Sequence, residues 1–439
     1  MKLLVRRLQL EWPSWLAVAF IALLPFGRLA EIPLSVFALA LPFLWRDPAH
    51  RARLRQVAPF LVALFLCFWI PMLLSSIDSM APRKSWLQTL AALRFLAAAC
   101  SMAVLLAPAS ARWRVLRWTG FLLLFWAVDG FVQLLLGADL FGIAMHPDRL
   151  NALFVQKYQF YGPTLAMLSP LLLEYARREW APWAWAVSFT LVLGAVLISG
   201  MRAGWLSMAV VLCTYVLLMF QRENRELRRM MLSVPLLAVL VLSFSYFASP
   251  LFQQRIESTR AAYLDKSAPL DSVALDEATS NRLPIFTTAW SMYLHHPVNG
   301  VGVRAFPTAY MLYAAEDDIH IQKSGGVSGA THAHNVVLEV MADTGSIGLL
   351  GLLLGAILAI RFWWQAAPAQ RQDSFPFLLA VVLILFPLNS HFAIYGTYTS
   401  SLLWFLVGLW ASTRRIAVGD ALAEEAAKEV SGAVRGPKP

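Results

Sequence analysis

The chain has 439 residues, 59% of them hydrophobic and only 14% charged, with a mean hydropathy of +0.61, whereas soluble domains are nearer a quarter charged. A soluble enzyme of ordinary composition is excluded, and the apolar runs are long enough to cross a hydrocarbon core of about 30 Å. The net charge of +10 comes as small basic groups between apolar runs, not as a patch for nucleic acid.

In chain order those groups are Lys2/Arg6/Arg7, Arg46/Arg51/Arg53/Arg55, Arg112/Arg114/Arg117, Arg177/Arg178, Arg222/Arg225/Arg228/Arg229, Arg361/Arg371 and the tail from Arg414. They occupy every second loop, which under the positive-inside rule predicts two cytoplasmic termini and an even number of spans. The first apolar run reads as a retained span, not a removed signal peptide. Spans are expected at roughly 12–29, 32–45, 57–77, 89–107, 115–137, 162–175, 182–200, 203–220, 231–248, 346–361, 375–392 and 397–411. The expected fold class is all-α: a polytopic integral membrane protein with about twelve transmembrane helices and one large external loop containing short helices.

This divides the chain into nine spans within 1–248, the loop 249–345, three spans within 346–411 and a cytoplasmic tail 412–439. Spans 32–45, 162–175, 346–361 and 397–411 fall below the usual minimum of about 17 residues, and their ends are expected to take in flanking Trp, Tyr and Arg anchors. Pro25, Pro71, Pro170, Pro235 and Pro387 predict kinks. Cys67, Cys100 and Cys213 all sit in apolar runs, with no disulfide framework or zinc-finger spacing.

The loop 249–345 holds five of the eight histidines, ten acids and six bases, and a connection of that length is more often functional than connective. Residues 251–264 are weakly amphipathic, compatible with the membrane surface; 265–281 are polar, and the tail from Asp420 reads as a short helix followed by disorder.

The densest chemistry is Thr331-His332-Ala333-His334-Asn335, followed by Glu339 and by Asp343-Thr344-Gly345-Ser346-Ile347-Gly348. Imidazole takes a proton from a hydroxyl near neutral pH. A lone histidine here would more often cap the next helix; the doubled His-x-His-Asn favours chemistry. No metal is expected, because no third ligand stands at helical spacing as in His-Glu-x-x-His. In Ser199-Gly200-Met201-Arg202-Ala203-Gly204, Arg202 is a lone arginine in a short external turn, and its donor fork suits phosphate oxygens as well as a lipid headgroup.

Asn281-Arg282 precedes a helical pattern and then the turn Pro297-Val298-Asn299-Gly300-Val301-Gly302-Val303-Arg304. Its Gly-x-Gly follows no strand of a βαβ unit, so it reads as a turn whose glycines allow close backbone approach, not as a nucleotide site. Arg94 and Asp129 lie inside spans, where charge is costly. Arg149 and Lys157 could add positive potential near a lipid phosphate, although a solvated role serves them equally.

On these residues the chain resembles the O-antigen ligase and polymerase superfamily of bacterial cell-envelope glycosyltransferases. The resemblance is carried by the Ser-Gly-x-Arg turn at Arg202, by Asn281-Arg282 with Pro297 to Gly302 and Phe306, and by His334-Asn335-x-x-Leu338 with Gly345-x-x-Gly348-Leu349-Leu350. It covers roughly residues 190–355, and the doubled His332/His334 is more like the ligase branch.

The resemblance implies transfer of a glycan from undecaprenyl diphosphate to a lipid A–core sugar hydroxyl at the periplasmic face of the bacterial inner membrane, among membrane lipids and without nucleic acid, ATP or metal. It implies His334 as base with His332 as orienter, and Arg202 and Arg282 on the diphosphate. Asn335, Arg149, Arg304 and Arg94 are secondary candidates, and no cofactor is expected. A polymerase or a protein O-oligosaccharyltransferase of the same superfamily would use the same residues, while a flippase or transporter would depend on the intramembrane charges.

Overall fold

The computed structural model describes residues 2–147, 149–155, 158–220, 281–388 and 392–414, with short pieces at 239–240, 242–243, 246–247, 253–254 and 256–257. Most of the expected span 231–248, most of 251–264, the polar stretch up to 280, Lys157, Pro235 and the tail from Asp420 lie outside the described residues. What is described is helical, with no strand beyond two isolated bridges, Ala138 with Ala144 and His146 with Arg149.

The helices are α1 (Lys2–Ala22), a 3-10 segment (Leu24–Ala30), α2 (Glu31–Arg46), α3 (Pro48–Ser75), α4 (Pro82–Leu105), α5 (Ala109–Leu136), α6 (Tyr161–Glu179), α7 (Pro182–Ile198) and α8 (Arg202–Phe220). Within the stretch 249–345 lie α9 (Leu283–His295), α10 (Phe306–Tyr313), α11 (Ile319–Lys323) and the start of α12 (Val336–Gln365), and α13 (Pro368–Leu385) and α14 (Thr397–Ser412) follow. Among the described residues five helical stretches are long and apolar enough to cross a membrane, Leu24–Arg46, Pro48–Ser75, Pro82–Leu105, Ala109–Leu136 and Val336–Gln365, and Pro182–Ile198 and Arg202–Leu218 are shorter apolar helices.

Proline opens α3, α4, α7 and α13, where its missing N–H has no helical partner to lose. Asp47 caps α3, accepting from Ala49 N at 2.8 Å and His50 N at 3.1 Å, and these backbone bonds hold its carboxyl below the usual carboxylate range. Pro71 and Pro170 lie inside helices as expected. Pro25 and Pro387 do not: Pro25, with Gly27 at φ 66°, separates α1 from α2, and Pro387 falls beyond the end of α13.

Of the four expected spans that seemed too short, 32–45 and 346–361 belong to longer helical stretches, Leu24–Arg46 and Val336–Gln365, while 162–175 and 397–411 have another explanation. In α6 every residue from Tyr161 to Ala176 is buried, and in α14 every residue from Tyr398 to Ser412. A helix covered all round is a core helix, with protein and not lipid for its surroundings; in α6 that cover takes in the polar Thr164, Ser169 and Glu174. α6 packs on α5, α7, α8 and α13; α14 packs on α4 and α13; α3 carries α12.

At one end of the bundle α14's last carbonyls are satisfied by arginine: Arg53 reaches Ser412 O and Arg414 O at 3.1 and 3.0 Å, and Arg112 reaches Ser412 O at 3.1 Å. At the other end Ile285, Met292, Phe306, Tyr310 and Ala333 form a second small core, under α9, α10 and the segment leading to α12.

Candidate active site

The site is organised around a break in α12. Asn335 caps the helix, its side chain accepting from Val337 N at 3.0 Å and Leu338 N at 3.1 Å, the usual work of a short polar side chain there. At Gly345 the backbone turns to φ 61°, ψ −157°, a conformation open to glycine. The break strands the carbonyls of Ala342 and Asp343 and the amides of Ser346 and Ile347.

The turn 297–302 supplies all four partners. Val301 N donates to Ala342 O (2.8 Å), Gly302 N to Asp343 O (3.1 Å), Ser346 N to Pro297 O (2.8 Å) and Ile347 N to Val298 O (3.1 Å). A Cβ on Gly345 would collide with Val298's carbonyl, and one on Gly300 with the peptide between Asp343 and Thr344. The glycine spacing thus encodes backbone docking, as the sequence suggests.

Beneath this joint Glu339 and Asp343 share a helix face, each 2% exposed. Asp343 Oδ2 accepts from Arg304 N at 3.1 Å, and the amides of Ile394 and Tyr395 serve the Glu339 carboxyl. The Tyr395 hydroxyl lies 2.9 Å from Thr344 Oγ1, and burial pushes its phenol well above the usual range. Sequence reasoning quotes both acids without a role for them, and misses Tyr395. The available signal was two acids four apart on an otherwise apolar helix, which is costly unless both find partners.

His332 and His334 stand just ahead of the cap. Their rings are 3.9 Å apart, centroid to centroid, at 43°, with Thr331 Oγ1 3.0 Å from His332 Nδ1. Ala333 between them is buried and anchors the segment, leaving both imidazoles half-buried. The capping is done by Asn335, whose Nδ2 also donates to Pro387 O at 2.8 Å; the histidines are not the caps.

Arg202 is the first residue of α8, half-buried after the turn at Gly200 (φ 70°). A Cβ on Gly162 would strike Ser199's hydroxyl, so this turn is seated on the start of α6. Arg149 Nη1 contacts Met201's sulfur, beside Arg202. The start of α6 in turn meets the segment before α14, Phe160 packing on Phe392 and Tyr398 and Thr164 Oγ1 lying 2.7 Å from Tyr398 OH. Through these contacts the Arg202 turn, Arg149, the 392–398 segment and the start of α12 share one end of the bundle.

Arg282 stands at the N-cap position of α9, half-buried. His320 Nε2 donates to the carbonyl of the preceding Asn281 at 2.7 Å. Among the described residues the non-glycines with positive φ are Ala152 (42°), Asn281 (56°), Arg304 (64°) and His334 (53°). Two are candidate site residues and a third adjoins Arg282, and strained backbone of this kind gathers at functional sites.

The arginine inside a span behaves differently. Arg94 pairs with Glu31 at 2.7 Å and stacks on Phe95, and Glu31 also accepts from Ser401 Oγ. Asp129 accepts from Leu140 N at 2.9 Å. Arg94 and Asp129 thus have structural partners, and none of these partners among the described residues belongs to the histidine segment.

Two touching imidazoles can accept and orient a hydroxyl proton, and guanidinium forks at the same end can take phosphate oxygens. Residues 187–353 match the family model described as O-antigen ligase, a stretch that takes in Arg202, Arg282, Arg304, His332 and His334. No curated protein matches the chain. The family match supports membership of the O-antigen ligase/polymerase superfamily.

Proposed function

We propose that this member of the O-antigen ligase/polymerase superfamily is a membrane glycosyltransferase that moves a glycan from undecaprenyl diphosphate to a sugar hydroxyl of lipid A–core, at the periplasmic face of the inner membrane. The observation that carries the reading is the His332/His334 pair, held ahead of a capped helix inside the family-matched stretch. The acceptor oxygen attacks the anomeric carbon as the bond from that carbon to the carrier's phosphate oxygen breaks. His334 takes the hydroxyl proton, and the diphosphate leaves with the bonding pair. Arg202 and Arg282 meet the charge that develops on it, preorganised donors being worth most where charge appears. Direct displacement inverts the anomeric centre.

The carrier diphosphate is already an activated leaving group, so neither ATP nor a divalent ion is part of the proposal. Purified protein should form product from carrier-linked glycan and lipid A–core in excess chelator; activity lost there and restored by zinc alone would make the histidines metal ligands. The ligase assignment is tested by what cells lacking the protein accumulate. Rough lipopolysaccharide together with long carrier-linked polymer supports it, whereas single repeats on lipid A–core would make the protein a polymerase.

A further inference from the structure

α9 is apolar on two faces, and the described residues cover one of them. Ile285, Ala289 and Met292 are buried in the small core under α9 and α10. On the other side Trp290 (47% exposed) and Leu294 (58% exposed) stand open, with Phe286 half-buried four positions before Trp290 and Val298 of the following turn exposed four positions beyond Leu294. Residues 283–294 contain no charged side chain, although the stretch 249–345 as a whole is rich in acids, bases and histidines. An open apolar face in such a setting marks an interaction or membrane surface.

The depth of that face follows from α12, which is long and apolar enough to cross a membrane. Beyond the break its exposed residues Ser346, Leu350, Leu353, Ile357, Ile360 and Trp364 recur at intervals of three and four, one stripe along the helix and the side it offers to lipid. At the far end of the stripe the Arg371 guanidinium lies over the Trp364 ring, 5.1 Å from its centroid, an aromatic and a basic residue of the kind that anchor a helix at a bilayer interface. Ser346 stands about 27 Å from Trp364 along the helix at 1.5 Å per residue. A hydrocarbon core is about 30 Å thick, so Ser346 lies near its opposite boundary.

α9 is fastened at that boundary. The Tyr293 hydroxyl lies 3.0 Å from Ser346 Oγ, which also donates to Pro297 O at 2.7 Å, and the Tyr293 ring stands 5.5 Å from that of Trp290. The open face of α9 therefore continues the lipid-facing stripe of α12 at the level where hydrocarbon gives way to headgroups, the depth that Trp and Tyr favour. We infer that the outer face of α9, with Val298 of the turn after it, lies in the interfacial layer of the leaflet at the histidine end of the bundle. Bilayer lipid and not a protein partner occupies this face, because it runs on from a span's lipid side, carries two interfacial aromatics and bears no charge. The turn 297–302 is then held by α12 on one side and by the membrane on the other. The inference does not depend on the transferase reading.

The test is site-directed spin labelling of the full chain in lipid nanodiscs, in a background lacking Cys67, Cys100 and Cys213. Trp290→Cys and Leu294→Cys carry the label in separate proteins, with Leu353→Cys on the α12 stripe as the lipid reference and Ser328→Cys, exposed near α11, as the water reference. Molecular oxygen is apolar and gathers in lipid, whereas a neutral nickel chelate stays in water. Labels at 290 and 294 are expected to collide readily with oxygen and poorly with the chelate, as at 353. At 328 the order should be reversed.

A label at either 290 or 294 that the chelate reaches as readily as at 328 puts the face in water and overturns the inference. A label that neither reagent reaches overturns it equally, because another protein segment then covers the face. Since the measurement reads lipid contact and not glycan transfer, its outcome is independent of whether the transferase reading stands.

Discussion

A sugar hydroxyl must lose its proton as it attacks, and the half-buried His334 is the group proposed to receive it. His334→Ala should slow glycan transfer by about 10²–10⁴-fold, the range for a lost general base, while leaving donor binding nearly intact. Asparagine or glutamine there should not rescue turnover, since neither takes a proton at neutral pH. His332→Ala should be milder, because water can take over part of an orienting role. A His334→Ala protein with normal transfer would remove the base assignment. Arg202→Lys and Arg282→Lys are expected to weaken donor binding although charge is kept, because an ammonium cannot reproduce the two-pronged fork; wild-type binding in both would make them headgroup anchors. At this scale the sequence was informative for His332, His334 and Asn335, which fall within a few positions of one another. It was not for Arg94, whose partner Glu31 lies 63 positions away, since ion pairing between distant helices leaves no local pattern.

The element that matters most is α12 with its break. The glycines of the 297–302 turn were readable as points of close approach, but what they approach was not, because the docking runs between segments some forty positions apart. For the same reason the span expected from 346 begins as a helix at Val336. Gly345 reads in sequence as a boundary and in space as an interruption that the turn repairs. Gly345→Ala should therefore be severely destabilising, since it adds a Cβ against Val298's carbonyl at a backbone angle that alanine adopts poorly. Gly325→Ala, also at positive φ but with nothing within 4 Å, should cost only about 1 kcal/mol. Thermal unfolding in detergent distinguishes the two; equal shifts would mean that the break is tolerant of a side chain.

Across the whole molecule, the composition and the helical class were legible from hydropathy alone, whereas the central position of α6 and α14 was not. Their shortness did not mark it either, because the expected spans 32–45 and 346–361 were also short and belong to helices that are mostly exposed. Hydropathy reports how apolar a run is and is silent on whether lipid or protein surrounds it. The expected topology remains open to direct measurement with an impermeant thiol reagent on spheroplasts, in a background lacking Cys67, Cys100 and Cys213. Ser328→Cys, at an exposed position near α11, should be labelled, and Ser110→Cys, exposed at the opposite end, should not. Labelling at both positions, or at Ser110 alone, would overturn the proposed orientation.

The four hydrogen bonds across the α12 break give it a property that ordinary helix interruptions lack. A kink with stranded amides admits solvent and acts as a hinge, but here the same turn grips the chain on both sides of Gly345, so the joint is a weld. In deuterium exchange the amides of Ser346 and Ile347 should therefore be as slow as their helical neighbours. Fast exchange at these two positions would identify a hinge instead, and the histidine segment could then swing relative to the lipid-facing length of the helix.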